Sequence, residues 1–152
     1  MLKRPLVTAA VVALVLPTTA LAGLTRSEAS LLRAMNHVRA QHGLSPLHYD
    51  GHLQNAARSH SREMLATDVF AHGAFGSRML QYDVRGSLAG ENLAWGTGRL
   101  GTARSVVSAW LASPEHRANL LRPSFSRVGV GELIGSFRGY NGARVVTADF
   151  AG

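Results

Sequence analysis

The 152-residue chain contains no cysteine. Disulfide cross-links, thiol nucleophiles and cysteine-ligated zinc are therefore excluded. Small exported domains often rely on disulfides, so a domain of this size without them must be held by hydrophobic packing and hydrogen bonds alone.

Lysine is also nearly missing, because Lys3 is the only one and every other basic residue is an arginine. The net charge is +7, yet the arginines are scattered singly along the chain, a poor match to a nucleic-acid footprint. Nucleic acid is therefore not an expected partner. The net charge permits weak attraction to anionic envelope polymers, but arginine as the ordinary surface cation is the favoured interpretation.

Common catalytic motifs are missing as well. The sequence has no Gly-x-Ser-x-Gly elbow, phosphate loop or dinucleotide fingerprint, which argues against the usual serine hydrolase, nucleotide-binding and oxidoreductase designs. A pair of carboxylates suited to a glycosidase is not evident either.

The amino terminus has the features of an export signal. Two basic residues precede an apolar run over residues 6–16, and small residues then lead to a predicted cleavage site between Ala22 and Gly23. The run is about half the roughly 20 apolar residues that a membrane span needs. We expect a cleaved signal peptide, a single domain over 23–152 without a transmembrane segment, and a secreted or periplasmic protein.

Helical patterns fill the first part of the predicted domain. The capping-box pattern Thr25-Arg-Ser-Glu28 and the apolar spacing after it predict a helix over Ser27–His42. Asp50 is the predicted N-cap of a second helix, which ends near Thr67.

Residues 68–101 are rich in glycine and polar residues and are expected to be mostly irregular, with a short helix around Ser77–Asp83. A third helix is predicted from Thr102 to Ser113. Ser113 is also the predicted N-cap of a shorter fourth helix that begins with Pro114.

The period then changes to that of strands. Residues 128–132 and 145–149 alternate as two strands, separated by a glycine-rich loop that contains Asn141-Gly142. Helices followed by a hairpin indicate an α+β fold.

Six short strings occur in an order that resembles the CAP superfamily, also called the SCP or sperm-coating-protein-like domain, in its short bacterial secreted form. They are Asn36-His-Val-Arg39, Gly43-Leu-Ser-Pro-Leu47, Phe70-Ala-His72, Gly90-Glu-Asn92, Trp110-Leu-Ala-Ser-Pro-Glu-His-Arg-Ala-Asn119 and Val128-Gly-Val-Gly131. The resemblance covers about residues 27–150. It implies a three-layer α-β-α sandwich with an antiparallel central sheet.

The resemblance also implies a surface cleft lined by two histidines and acidic residues, which in several family members binds a divalent metal such as zinc. The matching positions here are His72, His116 and Glu91. The second cleft glutamate of the family usually lies three residues after the helical tryptophan, where this chain has Ser113. Glu115 lies nearby in sequence, and nothing in the sequence shows that it substitutes.

Each site residue has a structural alternative. His72 could be a loop histidine that hydrogen-bonds a carbonyl group. His116 lies in the first turn of its helix, where the dipole lowers the pKa of an imidazole and favours the neutral form that can bind a metal. Glu91 could orient a histidine or act as a general base, or it could tie its loop to backbone amides. Asn92 is assigned to holding that turn.

Three further residues with assigned positions are a histidine and two tryptophans. His60 lies on the apolar stripe of its helix and is interpreted as a core or boundary histidine. Trp110 is assigned to the core, whereas Trp95 could form a wall of the cleft.

Three functional hypotheses follow. The first is a binding protein that presents the cleft to an envelope lipid, glycan or protein. The alternative is a divalent-metal-dependent hydrolase of envelope peptide or glycan, in which His72 and His116 hold the ion and Glu91 activates its water. In the third, the fold is a scaffold and the loop over residues 135–142 carries recognition.

Overall fold

The computed structural model describes residues 23–152; the predicted signal peptide lies outside them. The elements in chain order are α1 (Arg26–Gln41), β1 (His48–Tyr49), α2 (Gly51–Thr67), α3 (Phe75–Gln81), β2 (Ala89–Gly96), a 3₁₀ turn (Gly98–Gly101), α4 (Ala103–Ala112), α5 (Pro114–Leu120), β3 (Arg127–Phe137) and β4 (Tyr140–Ala151).

The helix starts follow from their capping residues. Thr25 and Glu28 form a reciprocal capping box at the start of α1, and the Asp50 carboxylate accepts from the backbone N–H groups of His52 and Leu53 at the start of α2. These helices lie within one or two residues of the predicted bounds. Helix α3 begins two residues earlier than predicted.

The expectation for residues 68–101 was wrong in one respect, because they include the eight-residue strand β2. Two glycines and two polar residues in Ala89–Gly96 hide its strand character in the sequence. The strand forms because its whole length pairs with β4, from Ala89 opposite Ala151 to Gly96 opposite Arg144.

The four strands form one sheet in the order β1-β3-β4-β2. The three long strands are antiparallel, and only the two-residue β1 pairs in parallel, with β3. Strand β4 is buried on both faces over residues 145–151, which requires a helical layer on each side.

Two helical layers cover the sheet. Side chains of α1, α4 and α5 pack against one face, including Val146, Ala148 and Phe150 of β4. The opposite face packs against α2 and α3, with Val145 and Ala151 of β4 in its two apolar clusters. The chain therefore has the α+β fold predicted from the order of its elements and the three-layer α-β-α architecture that the family resemblance implied.

The prediction of a glycine-rich loop between the last two strands was wrong. Strands β3 and β4 continue to Phe137 and from Tyr140, and the connection is the two-residue turn Arg138-Gly139. Both residues have positive φ, 54° and 82°, as the twist of a tight hairpin requires. Asn141 and Gly142 lie inside β4, so they do not form the turn.

Helix α2 approaches β3 closely because β3 has glycine where it crosses the helix. A Cβ on Gly129 would lie 2.0 Å from the carbonyl carbon of Leu53, and one on Gly131 would lie 2.4 Å from that of Ala57. The Val128-Gly-Val-Gly131 string thus sets the spacing between the helix and the sheet.

Among residues 23–152, no helix has the length and apolarity to cross a membrane.

Candidate functional site

A cleft of about 300 Å³ opens where β2, α5 and the segment before α3 meet. It is lined by His72, Phe75, Gly90, Glu91, Glu115, His116 and Asn119. Four of the five site residues predicted from the sequence therefore line one cleft, although up to 44 positions separate them in the chain. Trp95 is the exception.

Glu91 is the buried acid of the cleft. It lies on β2 with its side chain 2% exposed, and its Oε1 accepts from Nδ1 of His72 at 2.6 Å. Because the acceptor is a carboxylate, Nδ1 of His72 carries the hydrogen, and in the neutral ring Nε2 keeps its lone pair. Glu91 thus orients the histidine and does not bind backbone amides with its carboxylate.

A second buried residue, Arg78 of α3, donates to the other oxygen of Glu91. Arg78 Nη1 also faces Nδ1 of His60 at 3.1 Å, while Nε2 of His60 donates to the carbonyl oxygen of Ala71 at 2.9 Å. His60 is 2% exposed, in agreement with its assignment as a core histidine. It also supports the cleft, because it holds the segment that leads to His72.

Helix α5 is fixed to β2 by two amide side chains. Asn92 donates to the carbonyl oxygen of His116 at 2.9 Å, and Asn119 donates to the carbonyl oxygen of Glu91 and to Oδ1 of Asn92, both at 3.1 Å. The sequence-based assignment of Asn92 to a local turn was therefore wrong. Asn92 connects two segments that are 24 residues apart and so brings His116 to Glu91.

His116 is oriented by Ser113, whose Oγ lies 2.9 Å from Nδ1 of the imidazole. Ser113 occupies the N-cap position of α5, but its side chain makes no hydrogen bond to the backbone N–H groups there. Burial lowers the pKa of His116 below its usual value, with a further contribution from His72, while Glu115 opposes the shift. The neutral imidazole is therefore favoured.

Asp149 of β4 lies behind Glu91, its cross-strand partner. Asp149 is 0% exposed, and burial, together with the Glu91 carboxylate, raises its pKa well above the usual range. The sequence reasoning missed Asp149, Arg78 and Asn119 as members of the site. The available signal for Asp149 was a single acid in an otherwise uncharged run over residues 145–151.

Trp95 lies in a pocket of about 330 Å³ beside the cleft. The two share His116, and the pocket is walled by aromatic side chains that include Phe70, Trp95 and Trp110. Trp110 itself is 1% exposed and donates to the carbonyl oxygen of Leu93, so it belongs to the core as expected.

A larger groove of about 590 Å³ lies between α1 and α4. Arg33, His37 and Arg104 are its charged or titratable lining residues. It contains none of the site residues predicted from the sequence.

The donor groups of the cleft limit the metal that it could hold. Among residues 23–152, no group of three or more histidine, aspartate or glutamate residues is placed to hold a metal ion. His72 and His116 supply two nitrogen ligands, one short of the three protein ligands usual in catalytic zinc sites, and Glu91 is engaged with His72 and Arg78. The residues do not fit a complete catalytic zinc shell.

Residues 32–150 match the family model described as CAP, the cysteine-rich secretory protein family. The protein YkwD of Bacillus subtilis (strain 168) is 34% identical over 119 residues, which are 75% of this chain and 45% of that protein. The chain thus spans less than half of this curated relative.

Solved structures show the same fold. An extracellular protein from Bacillus anthracis that contains an SCP domain superposes with a TM-score of 0.67 at 29% identity, over 82% of this chain and 40% of that one. An outer surface protein from Borrelia burgdorferi superposes with a TM-score of 0.69 at 22% identity, over 83% of this chain and 94% of that one.

Proposed function

Because the chain belongs to the CAP (cysteine-rich secretory protein) family, we propose that it is an exported binding protein whose cleft takes up an envelope lipid, glycan or protein. Export to the periplasm or the exterior is part of the proposal. It is supported by the signal-like amino terminus and by a similar structure that is described as extracellular.

The observation that carries the proposal is the fixed arrangement of the cleft. Glu91 orients His72, Ser113 orients His116, and Asn92 and Asn119 fix the two halves to each other. Preorganised donors and acceptors bind a polar ligand without the entropic cost of ordering them.

The neighbouring aromatic pocket extends the cleft for a ligand with an apolar face. It shares His116 with the cleft, and Phe70 is 39% exposed there. Aromatic side chains with a free face pack against lipid chains, sugar rings or apolar side chains. The combination of polar and apolar lining supports an amphipathic envelope ligand.

The test measures binding to two defined envelope probes. The purified protein is sedimented with bacterial cell-wall sacculi and, separately, with phosphatidylglycerol vesicles. We expect binding to one probe, and a loss of at least about tenfold in affinity in His72→Ala and His116→Ala, as each change removes a hydrogen-bonding group worth about 1.4 kcal/mol or more.

His37→Ala is the matched control, because it removes an exposed imidazole from the groove between α1 and α4. It is expected to bind as the wild type does. If neither probe binds, or if His72→Ala and His116→Ala bind as tightly as the wild type, the proposal is wrong.

The alternative proposal remains a divalent-metal-dependent hydrolase of envelope peptide or glycan. The two-histidine donor set does not favour it, and we derive no catalytic step for it. Release of peptide or sugar from sacculi that stops on chelation, and in His116→Ala, would establish hydrolysis over binding.

A further inference from the structure

Asp149 is a buried acid that the cleft does not expose. Its exposure is 0%, and within the described part of the chain neither carboxyl oxygen receives a hydrogen bond. An ionised carboxylate in such a place is strongly disfavoured, because it loses its hydration and gains no donor in exchange. A neutral carboxylic acid avoids this cost.

The titratable and charged groups near Asp149 surround its neighbour Glu91. Glu91 is its partner on β2, and the opposite position on β3 is Gly129, which has no side chain. Arg78 comes from α3 and contacts Glu91, and His60 comes from α2. Glu63, which follows on α2, contacts His60 but is 59% exposed at its side chain.

The hydrogen bonds within this cluster assign its charges. Glu91 accepts from both His72 and Arg78, so it is the group that is stabilised as an anion. His60 donates from Nε2 to the carbonyl oxygen of Ala71, and its Nδ1 faces an Arg78 N–H group. The Nδ1 atom also lies 3.2 Å from the exposed carboxylate of Glu63, so both ring nitrogens of His60 have partners other than Asp149.

The buried guanidinium of Arg78 is paired with the carboxylate of Glu91. A second anion at Asp149 would be unmatched and would lie beside Glu91. Two adjacent carboxyl groups in this situation share one proton. Because Glu91 has two donors and Asp149 has none, the proton belongs on Asp149.

We propose that Asp149 is a neutral carboxylic acid which donates a hydrogen bond to Glu91 and so positions Glu91 to orient His72. Asp149 is a positioning residue, since it does not line the cleft. Burial and the neighbouring Glu91 both favour its protonated form, as the raised pKa of Asp149 indicates. The inference deepens the proposed function and rests on the role of His72 in the cleft.

The first measurement is the ¹³Cγ chemical shift of Asp149 in the purified, labelled protein as a function of pH. We expect the shift of a protonated acid to persist at pH 6, about two units above the ordinary pKa of aspartate. An ionised Asp149 at pH 6 would overturn the proposal. No ligand is present, so failure here is distinct from failure of the proposed binding function.

The second measurement is the ¹⁵N spectrum of the His72 ring, which reports its tautomer. In the wild type and in Asp149→Asn, whose amide can also donate to Glu91, we expect the hydrogen on Nδ1. In Asp149→Leu, which has similar size and no donor, we expect a mixture of the two tautomers. An unchanged His72 tautomer in Asp149→Leu would show that Asp149 does not position Glu91.

A third measurement remains informative if Asp149→Leu fails to fold. A raised folded-state pKa means that the stabilisation from Asp149 is fully present below about pH 4 and is lost as the pH rises toward the folded-state pKa. Asp149→Asn lacks this loss, so its stability relative to the wild type should increase with pH above about 4. A relative decrease would mean that Asp149 ionises against Arg78, contrary to the proposal. Asp83→Asn, at an exposed aspartate, is the control for the substitution.

Discussion

Replacing Gly129 by alanine tests how the contact between α2 and β3 supports both fold and cleft. The added Cβ would lie 2.0 Å from the carbonyl carbon and 2.1 Å from the amide nitrogen on either side of the Leu53–Gln54 peptide bond. Ordinary van der Waals contact begins at 3.4 Å, so the helix must retreat by about 1.4 Å. The obstacle is backbone, which cannot rotate away as a side chain can.

The cost follows from this geometry. Overpacking a core costs about 1–3 kcal/mol, and a clash with backbone belongs at the upper end of that range. We expect Gly129→Ala to lower the free energy of unfolding by about 3 kcal/mol and Tm by about 10 °C. Since α2 also carries His60, the retreat should loosen the contact of His60 with Arg78 behind the cleft.

Gly135→Ala is the matched control on the same strand. Its Cβ would meet only the side chain of Leu65, whose nearer methyl group lies at 3.1 Å, and a side chain can move. Urea and thermal unfolding, followed by circular dichroism at 222 nm, compare the two variants. If Gly129→Ala unfolds within about 1 kcal/mol of Gly135→Ala, below the range of overpacking costs, the close contact does not set the helix position.

Two more predictions concern the histidines of the cleft. The folded-state pKa of His116 is lowered, so the stabilisation that His116 provides is complete above about pH 6.5 and is lost as the pH falls below that value. The stability advantage of the wild type over His116→Ala should therefore shrink from pH 7 to pH 5. An advantage that grows over this range would contradict the lowered pKa. In NMR titrations Ser113→Glu should raise the pKa of His116 relative to both the wild type and Ser113→Ala. Stoichiometric zinc should leave Tm unchanged, because His72 and His116 are only two ligands; a rise in Tm that either alanine variant abolishes would restore the metal proposal.

The helices were predictable because their signals are local. The capping box at Thr25 and Glu28, the Asp50 N-cap and the 3.6-residue apolar spacing all lie within the helices they define. Strand β2 was not predictable in the same way. Its polar residues Glu91 and Asn92 are buried because they bind α3 and α5, segments that a local window does not include.

The charged groups behind the cleft were also not predictable from local sequence. His60, Arg78, Glu91 and Asp149 come from α2, α3, β2 and β4, respectively. Taken singly, a charged residue in a short helix or strand is expected to face solvent. Only the packing of four elements shows that these groups compensate one another, so the sequence placed Glu91 in the site and left its supports unidentified.

The family strings explain why the cleft could nevertheless be located. Asn92 belongs to the Gly-Glu-Asn string and Asn119 ends the string that contains His116, and these two amides fix the two segments to each other. The string Val128-Gly-Val-Gly131 sets the distance of α2 from the sheet. These strings encode contacts between elements, and the contacts place His72 and His116 in one cleft.

At Ser113 this chain differs from the family pattern, which usually has a glutamate at that position. The difference affects the neighbouring His116. A glutamate there would place a carboxylate near the His116 ring, which favours the charged imidazolium. The hydroxyl of Ser113 adds no charge, so burial acts with only Glu115 to oppose it and the pKa of His116 is lowered. The cleft therefore holds a neutral His116, oriented by Ser113, together with the buried acid Glu91.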